Sequence, residues 1–139
     1  DGPYRDLLES TRRKYGLEEK LILTGVVPNV EDYLRRASIM VMASRTEGLP
    51  MCLLEAKACA VPCISFDIMV GPSELIEHGR SGFLIPPFDL GEMMDRISQL
   101  IVDDGLRKRF SLAAQTGVEE YEVKRILEKW IWLLDTVLR

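Results

Sequence analysis

Histidine and cysteine are scarce in this sequence of 139 residues, which contains one His and three Cys. The single histidine, His78, is not accompanied by a cluster of metal-ligand residues, so nothing in the sequence predicts a zinc-type site. Cys52, Cys59 and Cys63 include no C-x-x-C pair, which excludes a redox or zinc motif of that spacing. We interpret the cysteines as reduced packing residues, and their odd number favours a reducing compartment.

Long apolar runs, a strong net charge and glycine-rich phosphate motifs are also missing. No segment reaches the ~18 uninterrupted apolar residues of a membrane span, and no signal peptide is recognisable. The 18 basic and 22 acidic residues give a formal net charge of −4, so we expect no nucleic-acid partner. The lack of G-x-G-x-x-G disfavours an NAD-binding domain, and the lack of G-x-x-x-x-G-K disfavours a P-loop enzyme.

The composition is that of an ordinary globular protein, with 47% hydrophobic and 29% charged residues. A chain of this length and composition predicts a single domain with a real core. We expect that domain to extend over residues 1–139, and its most informative stretch is Ser44–Ala56.

A strand, a sharp loop and a helix make up this central part of the sequence. The apolar run Ile39–Ala43 has the length of a strand. Met51–Ala60 is apolar apart from Glu55 and Lys57, which predicts a buried helix. Pro50 suits the first helical turn, because the N–H that it lacks is not needed there.

The start of this helix is expected to bind an anion, since free N–H groups and the positive end of the helix dipole gather there. Glu47 lies in the preceding loop. Glu55 lies on the predicted buried helix, where an unpaired carboxylate is costly and needs donors from the protein, water or a ligand. Two carboxylates with a helix N-terminus between them fit a ligand with a central diphosphate and hydroxyls at both ends. A nucleotide-sugar has that layout.

Strands alternate with helices along the first 87 residues. Further strands are predicted at Leu21–Thr24, Pro62–Phe66 and Gly82–Ile85. A helix is predicted over Pro3–Tyr15, and Asn29 can cap another. This alternation predicts an α/β fold with a Rossmann-like, doubly wound parallel sheet.

From about residue 88 to residue 139 only helices are predicted. Asp89 and Glu92 form a capping-box pattern at the start of the first helix, and Asp104 begins the second. A last helix is predicted from about Val123 to Leu138. We expect its apolar stripe to be buried, with the residues Ile126, Leu127, Trp130, Leu133, Leu134 and Val137.

Several motifs occur together in a recognisable order and spacing: Ser44-x-x-Glu47-Gly48-Leu49-Pro50, Glu55-Ala56, Ala60–Ser65, Gly71–Gly79 and Ser81–Ile85. Glu47 and Glu55, with seven residues between them, resemble the E-x7-E signature of retaining glycosyltransferases of the GT-B fold, specifically family 4, the glycosyl transferases group 1. The resemblance implies the donor-binding C-terminal half of such an enzyme. It would be a hexosyltransferase that moves a sugar from a nucleotide diphosphate to an acceptor hydroxyl and keeps the anomeric configuration.

The resemblance also implies roles for individual residues. In that family the first Glu of the signature binds hydroxyls of the donor sugar, so Glu47 is the implied catalytic residue; its alternative role is to cap the following helix. The second Glu holds the ribose. A loop like Gly25–Val27 meets the nucleobase, although a plain strand-to-helix turn is equally consistent with these residues. The implied site comprises Glu47, Gly48, Leu49 and Met51 for the sugar, and Glu55, Val26, Val27, Ser44 and Leu53 for the nucleotide.

Two positions depart from the family pattern. Pro50 stands where many members have Gly, and because Pro cannot donate a hydrogen bond we expect Gly48, Leu49 and Met51 to supply the main-chain donors. Ala60 also stands where Gly is usual, and we expect this change to affect packing only.

The resemblance implies a nucleotide-sugar donor, with UDP-sugars as the default, and a carbohydrate or lipid-linked acceptor. It implies no cofactor and no metal, because the family meets the phosphate charge with a helix N-terminus and with Arg or Lys side chains. The absence of an Asp-x-Asp motif agrees with this. We expect a cytoplasmic protein, located at the cytoplasmic face of a membrane if its N-terminal domain contacts lipid.

The sequence starts at Asp1 without a Met, which favours a piece of a longer protein. The resemblance places two strands, and the Arg and Lys that grip the diphosphate, before residue 1, so we expect the chain alone to be inactive. In a strand order of 3-2-1-4-5-6, Leu21–Thr24 would then lack its neighbour. This predicts self-association, a shifted strand order, or a strand held only by its helices.

Two other functional classes stay open at this point. A related GT-B enzyme, such as a nucleotide-sugar epimerase or a glycogen-synthase-like enzyme, would be distinguished by its product. A non-catalytic α/β binding module would show no nucleotide effect and no loss on changing Glu47 or Glu55.

Overall fold

The computed structural model describes residues 2–138 and divides into two compact units, one ending at Val30 and the other beginning at Glu31. The first unit contains helix α1 (Arg5–Lys14), followed by an irregular segment. Gly16 lies just beyond α1 with φ +61°, a left-handed conformation that glycine adopts without strain. It ends the helix as the sequence predicts.

The second unit alternates strands and helices. Its strands are β1 (Met40–Met42), β2 (Cys63–Phe66) and β3 (Gly82–Ile85). Its helices are α2 (Glu31–Leu34), α3 (Met51–Ala58), α4 (Pro72–Leu75), α5 (Leu90–Val102), α6 (Asp104–Ala114) and α7 (Val123–Val137), with a 3₁₀ turn at Val118–Tyr121. Near residue 87 the chain passes from alternating strands and helices to helices alone. This point does not divide the chain into units, since β3 and α5 belong to the same unit.

The strands form a parallel sheet in the order β1-β2-β3. Met40 of β1 is opposite Cys63 of β2, which in turn is opposite Gly82 of β3. These are three adjacent strands of the predicted Rossmann-like order, so the strand order is not shifted. The α/β fold with a parallel sheet is confirmed.

The sheet buries side chains on both faces. Neighbouring residues of β2 enter different clusters, with Cys63 in one and Ile64 in the other. The first cluster contains Leu34, Met42, Leu53, Ala56, Val61, Cys63, Leu75 and Ile76. The second contains Ile64, Phe66, Ile68, Phe83, Ile85, Met93, Leu100 and Phe110. Helices therefore cover both faces, as a doubly wound sheet requires.

The strand predicted at Leu21–Thr24 does not form, and no residue of that segment is assigned to a strand. A strand is stabilised by ladder hydrogen bonds to a neighbour. Leu21 instead binds locally, with its N–H bonded to the Leu17 carbonyl and its carbonyl accepting from Arg12. Apolar residues alone therefore do not make this segment a strand, and its self-association stays a prediction.

The prediction that α7 is buried is wrong. None of its residues is buried, and the predicted stripe is between 38% exposed at Ile126 and 71% exposed at Val137. Periodicity identifies which face of a helix is apolar, but burial also requires a surface that packs against that face. Within the described part of the second unit, no such surface covers α7.

The structure corrects the expectation that Ala at position 60 affects packing only. It follows α3 with φ +58°, in the left-handed region that L side chains rarely adopt. Glycine is favoured at such a position after a helix, because it has no Cβ to clash with the backbone. The change from Gly to Ala therefore strains the backbone and is not only a matter of packing.

The three cysteines are free, and Cys63 is buried. Burial raises the pKa of Cys63 to about 12, which keeps its thiol protonated and unreactive. The prediction that the cysteines are reduced packing residues is consistent with this arrangement. In the described residues, no helix combines the length and the apolarity that crossing a membrane would require.

Candidate functional site

The loop between β1 and α3 carries most of the predicted site residues. It leads from the carboxyl end of β1 into the first turn of α3, and ligands of parallel α/β sheets bind outside the carboxyl ends of the strands. Pro50 directly precedes α3 with φ −75°, and its ring is fully buried. Gly48 and Leu49 are exposed. The loop is thus anchored at its last residue and open to a ligand just before it.

The first turn of α3 has amide groups that are free to bind an anion. In the described part of the chain, the N–H groups of Met51 and Cys52 have no intrahelical partner and no side chain caps the helix. The starts of α5 and α6 differ, because Asp89 and Asp103 accept hydrogen bonds there. The positive end of α3 therefore remains available to a negatively charged ligand.

The two carboxylates of the signature lie near this end of α3. Glu47 is half-buried in the loop and Glu55 is exposed on the helix, and neither has a hydrogen bond or an ion pair among residues 2–138. Burial raises the pKa of the Cys52 thiol most, and the negative charges of Glu47 and Glu55 raise it further. Both carboxylates therefore lie near enough to the Cys52 thiol, in the first turn of α3, for their charges to act on it.

The surroundings of Glu55 correct the prediction of a buried helix. Only Leu53 and Ala56 of α3 are buried, whereas Met51 and Glu55 are exposed. The helix packs against the sheet along a narrow stripe, and Glu55 lies away from that stripe. Its carboxylate is therefore solvated, and the cost of an unpaired buried charge does not apply to it.

Leu53 has a packing role. Its side chain is completely buried in the cluster that joins α3 to the sheet. Its N–H donates to the Pro50 carbonyl oxygen at 3.0 Å. Its side chain and its N–H are thus both engaged within the protein, and its nucleotide role stays a prediction.

Gly71 packs directly against the backbone of the loop between β1 and α3. It has φ +101°, and a Cβ placed on it would overlap the Gly48 carbonyl oxygen and lie 2.6 Å from Pro50 Cδ. The main chain of the loop thus rests directly on the backbone of Gly71. The sequence predicts only a turn at Gly71-Pro72, because this contact joins positions that are distant in the chain and that no local pattern connects.

Side chains of α6 hold the other end of α3. Ser111 Oγ donates to the Ala60 carbonyl oxygen at 2.7 Å, and Gln115 Nε2 donates to the Ala58 carbonyl oxygen at 3.3 Å. Lys57 Nζ donates in the opposite direction, to the Thr116 carbonyl oxygen at 2.7 Å. The first two bonds satisfy carbonyl groups at the C-terminal end of α3, and all three fix the helix that carries Glu55.

The remaining predicted residues are Ser44, Val26 and Val27. Ser44 is half-buried in the loop after β1. Val26 and Val27 belong to the first unit, where Val26 is 86% exposed and Val27 half-buried, after Gly25 with φ +64°. Both valines are thus accessible in their own unit, and their nucleotide role stays a prediction.

No group of three or more His, Cys, Asp or Glu side chains is positioned to hold a metal ion within residues 2–138.

The sequence matches the model of a family described as glycosyl transferases group 1 over residues 1–117. Among curated relatives, an exopolysaccharide phosphotransferase of Streptomyces coelicolor is 33% identical over 131 residues, which are 94% of this chain and 14% of that protein. The amylovoran biosynthesis glycosyltransferase AmsD of Erwinia amylovora is 36% identical over 136 residues, which are 97% of this chain and 38% of that protein. The chain thus spans less than two fifths of either relative.

A solved structure also resembles this chain closely. The G117R mutant of TarM from S. aureus, in complex with fondaparinux, α-GlcNAc-glycerol and UDP, superimposes with a TM-score of 0.88 and 32% identity. The match covers 95% of this chain and 27% of TarM.

Proposed function

This chain belongs to the glycosyl transferases group 1 family, and from that premise we propose that it is the donor-binding half of a retaining glycosyltransferase of family 4. The whole protein would transfer a hexose from a nucleotide diphosphate to an acceptor hydroxyl and keep the anomeric configuration. The observation that carries this proposal is the uncapped start of α3 beside two unpartnered carboxylates, Glu47 and Glu55. Such a site matches a diphosphate with hydroxyl-bearing groups on either side.

The start of α3 would hold the diphosphate. In the transfer, the bond between the sugar C1 and the phosphate oxygen breaks, and a bond forms between C1 and the acceptor oxygen on the same face of the sugar. The acceptor proton leaves to the departing diphosphate or to solvent. Negative charge grows on the diphosphate as it leaves, and the N–H groups of Met51 and Cys52 would stabilise that charge.

The two carboxylates would hold opposite ends of the donor. Glu55 is exposed one turn into α3 and would accept hydrogen bonds from the ribose hydroxyls. Glu47 would accept from hydroxyls of the transferred sugar, which the main-chain N–H groups of Gly48 and Leu49 would also face. Ser44 adds a further proposed nucleotide contact in the same unit, and the nucleotide role of Val26 and Val27 in the first unit stays a prediction.

We propose a UDP-sugar as the donor, and support comes from TarM, which is 32% identical and was solved in complex with UDP. A carbohydrate or lipid-linked acceptor, a reaction without a metal and a cytoplasmic location are parts of the same proposal. The phosphotransferase relative does not favour a different reaction, because this chain covers only 14% of that protein.

Changing Glu55 to Gln is expected to weaken UDP binding by a factor of roughly 10 to 100, since a hydrogen bond to a charged group contributes ~1.5–3 kcal/mol. The side chain is exposed and has no partner in the described residues, so the fold should not change. Titration calorimetry with UDP, GDP and ADP on the whole protein and on its Glu55→Gln variant measures the effect and identifies the preferred base.

Glu119→Gln is the matched control, because Glu119 is also an exposed glutamate but belongs to the 3₁₀ turn and not to the β1–α3 loop or to α3 itself. Its UDP affinity should equal that of the wild type. Equal UDP affinity in Glu55→Gln and Glu119→Gln would contradict the ribose role, and absence of any nucleotide binding by the wild type would favour a non-catalytic binding module.

A further inference from the structure

A cavity opens at the carboxyl ends of the strands, beside the loop between β1 and α3 that is proposed to bind the donor. It has a volume of about 360 Å³ and is lined by Ala43, Arg45, Phe66, Phe88 and Leu90. Ala43 directly follows β1, and Phe66 is the last residue of β2. Phe88 and Leu90 both come after β3 in the chain. The cavity thus lies at the sheet edge where α/β proteins bind ligands, and its volume falls within the ~300–1,000 Å³ of small-molecule sites.

The walls of this cavity combine two aromatic rings with one cation. The rings of Phe66 and Phe88 are 5.6 Å apart at 60°, and Phe88 is 56% exposed. The guanidinium carbon of Arg45 lies 5.7 Å from the centre of the Phe88 ring. Leu90 adds an aliphatic surface that is 64% exposed. An open aromatic and aliphatic surface of this kind suits the C–H face of a sugar ring.

Arg45 has no carboxylate partner in the described part of the chain, unlike Arg80 and Arg96, which pair with glutamates. The nearby Asp89 directs its carboxylate to the N–H of Glu92 at the start of α5. The planar guanidinium can therefore form paired hydrogen bonds to a carboxylate or a phosphate of a ligand.

The backbone at Phe88 is held in a costly conformation. Its φ is +67°, which for a bulky residue is an outlier, and glycine would occupy this position without strain. This strained residue is the one whose ring makes a tilted contact with Phe66 and lies beside the Arg45 guanidinium. Strained residues of this kind gather at functional sites, where the side chain must be placed in one position.

We propose that the Arg45–Phe66–Phe88 cavity is an acceptor subsite that binds a sugar unit carrying a phosphate or carboxylate. The exposed Phe88 ring contacts the apolar face of the sugar, Phe66, which is 3% exposed, supports that ring from the core, and Arg45 binds the anionic group. The acceptor role rests on the proposed glycosyltransferase function, whereas binding of the anionic sugar itself does not. None of the proposed donor residues lines the cavity, so donor and acceptor sites are separable by mutation.

Binding is tested by ligand-observed NMR on this chain with glucose 6-phosphate and glucuronate as anionic sugars. Glucose and inorganic phosphate serve as the neutral and sugar-free probes, and UDP reports on the donor site. The anionic sugars should bind at least about tenfold more tightly than either control probe, since Arg45 adds a charge-assisted hydrogen bond that glucose cannot receive and the Phe88 ring adds a contact that phosphate cannot make. Equal binding of inorganic phosphate or of glucose would overturn the subsite.

Two pairs of variants identify the residues. Arg45→Gln should weaken glucose 6-phosphate binding about tenfold or more, whereas Arg80→Gln, which changes an exposed arginine outside the cavity, should not. Phe88→Gly removes the ring and also relieves the strained φ. Ala60→Gly relieves a similar φ of +58° elsewhere and is its matched control.

Phe88→Gly should lose sugar binding without a lower melting temperature, and Ala60→Gly should keep both binding and stability. Unchanged sugar binding in Arg45→Gln or in Phe88→Gly would overturn the proposal. A parallel loss of UDP affinity in Arg45→Gln would also overturn it, because the cavity would then belong to the donor. Arg45-dependent sugar binding without any UDP binding would preserve the anionic-sugar site and refute the proposed function instead.

Discussion

Replacing Glu47 with Ala is expected to slow sugar transfer by the whole protein about 100- to 1,000-fold while UDP affinity stays within about threefold of the wild type. The proposed partner of Glu47 is the transferred sugar and not the nucleotide, so its interactions strengthen as the sugar is transferred. Glu47 has no hydrogen bond or ion pair in the described residues, which means that its removal breaks no contact seen in the loop. Turnover is measured as UDP released from UDP-glucose or UDP-N-acetylglucosamine.

Glu55→Gln should show the opposite pattern, because its main effect is expected on nucleotide affinity and not on the transfer step. Glu74→Ala, a change of an exposed glutamate on α4, should affect neither quantity. A fall in UDP affinity as large as the fall in turnover would show that Glu47 maintains the conformation of the loop instead of acting on the sugar.

Replacing Gly71 with Ala is expected to lower the free energy of unfolding by about 2–4 kcal/mol and to weaken donor binding strongly. Two effects add: the left-handed φ of +101° strains any L side chain, and the new Cβ would overlap the Gly48 carbonyl oxygen. To relieve that overlap the loop must move, and the Gly48 N–H moves with it. Chemical denaturation and UDP titration measure the two consequences.

Gly79→Ala separates these effects. Gly79 has φ +76°, but a Cβ added to it would meet nothing within 4 Å. Its substitution should therefore cost only the backbone strain, about 1–2 kcal/mol, and should leave UDP affinity unchanged. Equal effects of the two substitutions on stability and on binding would show that Gly71 does not position the loop.

Local patterns predict the elements around the site well. β3 forms over Gly82–Ile85 as predicted, because a short apolar run bounded by glycine and Pro86 has few alternatives. Asp89 caps α5 by accepting from the Glu92 N–H, as the spacing of the two residues indicates. The strand-loop-helix at the signature is also predictable, since Pro50 determines where α3 begins.

Features that depend on distant partners are not predictable in this way. Leu21–Thr24 has the residues of a strand but lacks a neighbour to pair with. The stripe of α7 has the period of a buried helix, yet Trp130 is 57% exposed. The support of Gly48 by Gly71 and the meeting of Arg45 with Phe88 join residues far apart in the sequence. Composition and periodicity describe each segment, and only the fold shows which segments meet.

Binding of a nucleotide-sugar at the loop between β1 and α3 can be observed by NMR titration of UDP-glucose into the ¹⁵N-labelled chain. The amide signals of Gly48, Leu49, Met51 and Cys52 should shift together with the same dissociation constant, and these shifts should be lost in Glu55→Gln. Signals of Gly105 and Arg109 on α6 should stay in place. Shifts that spare the loop and the first turn of α3, or shifts that persist unchanged in Glu55→Gln, would contradict it.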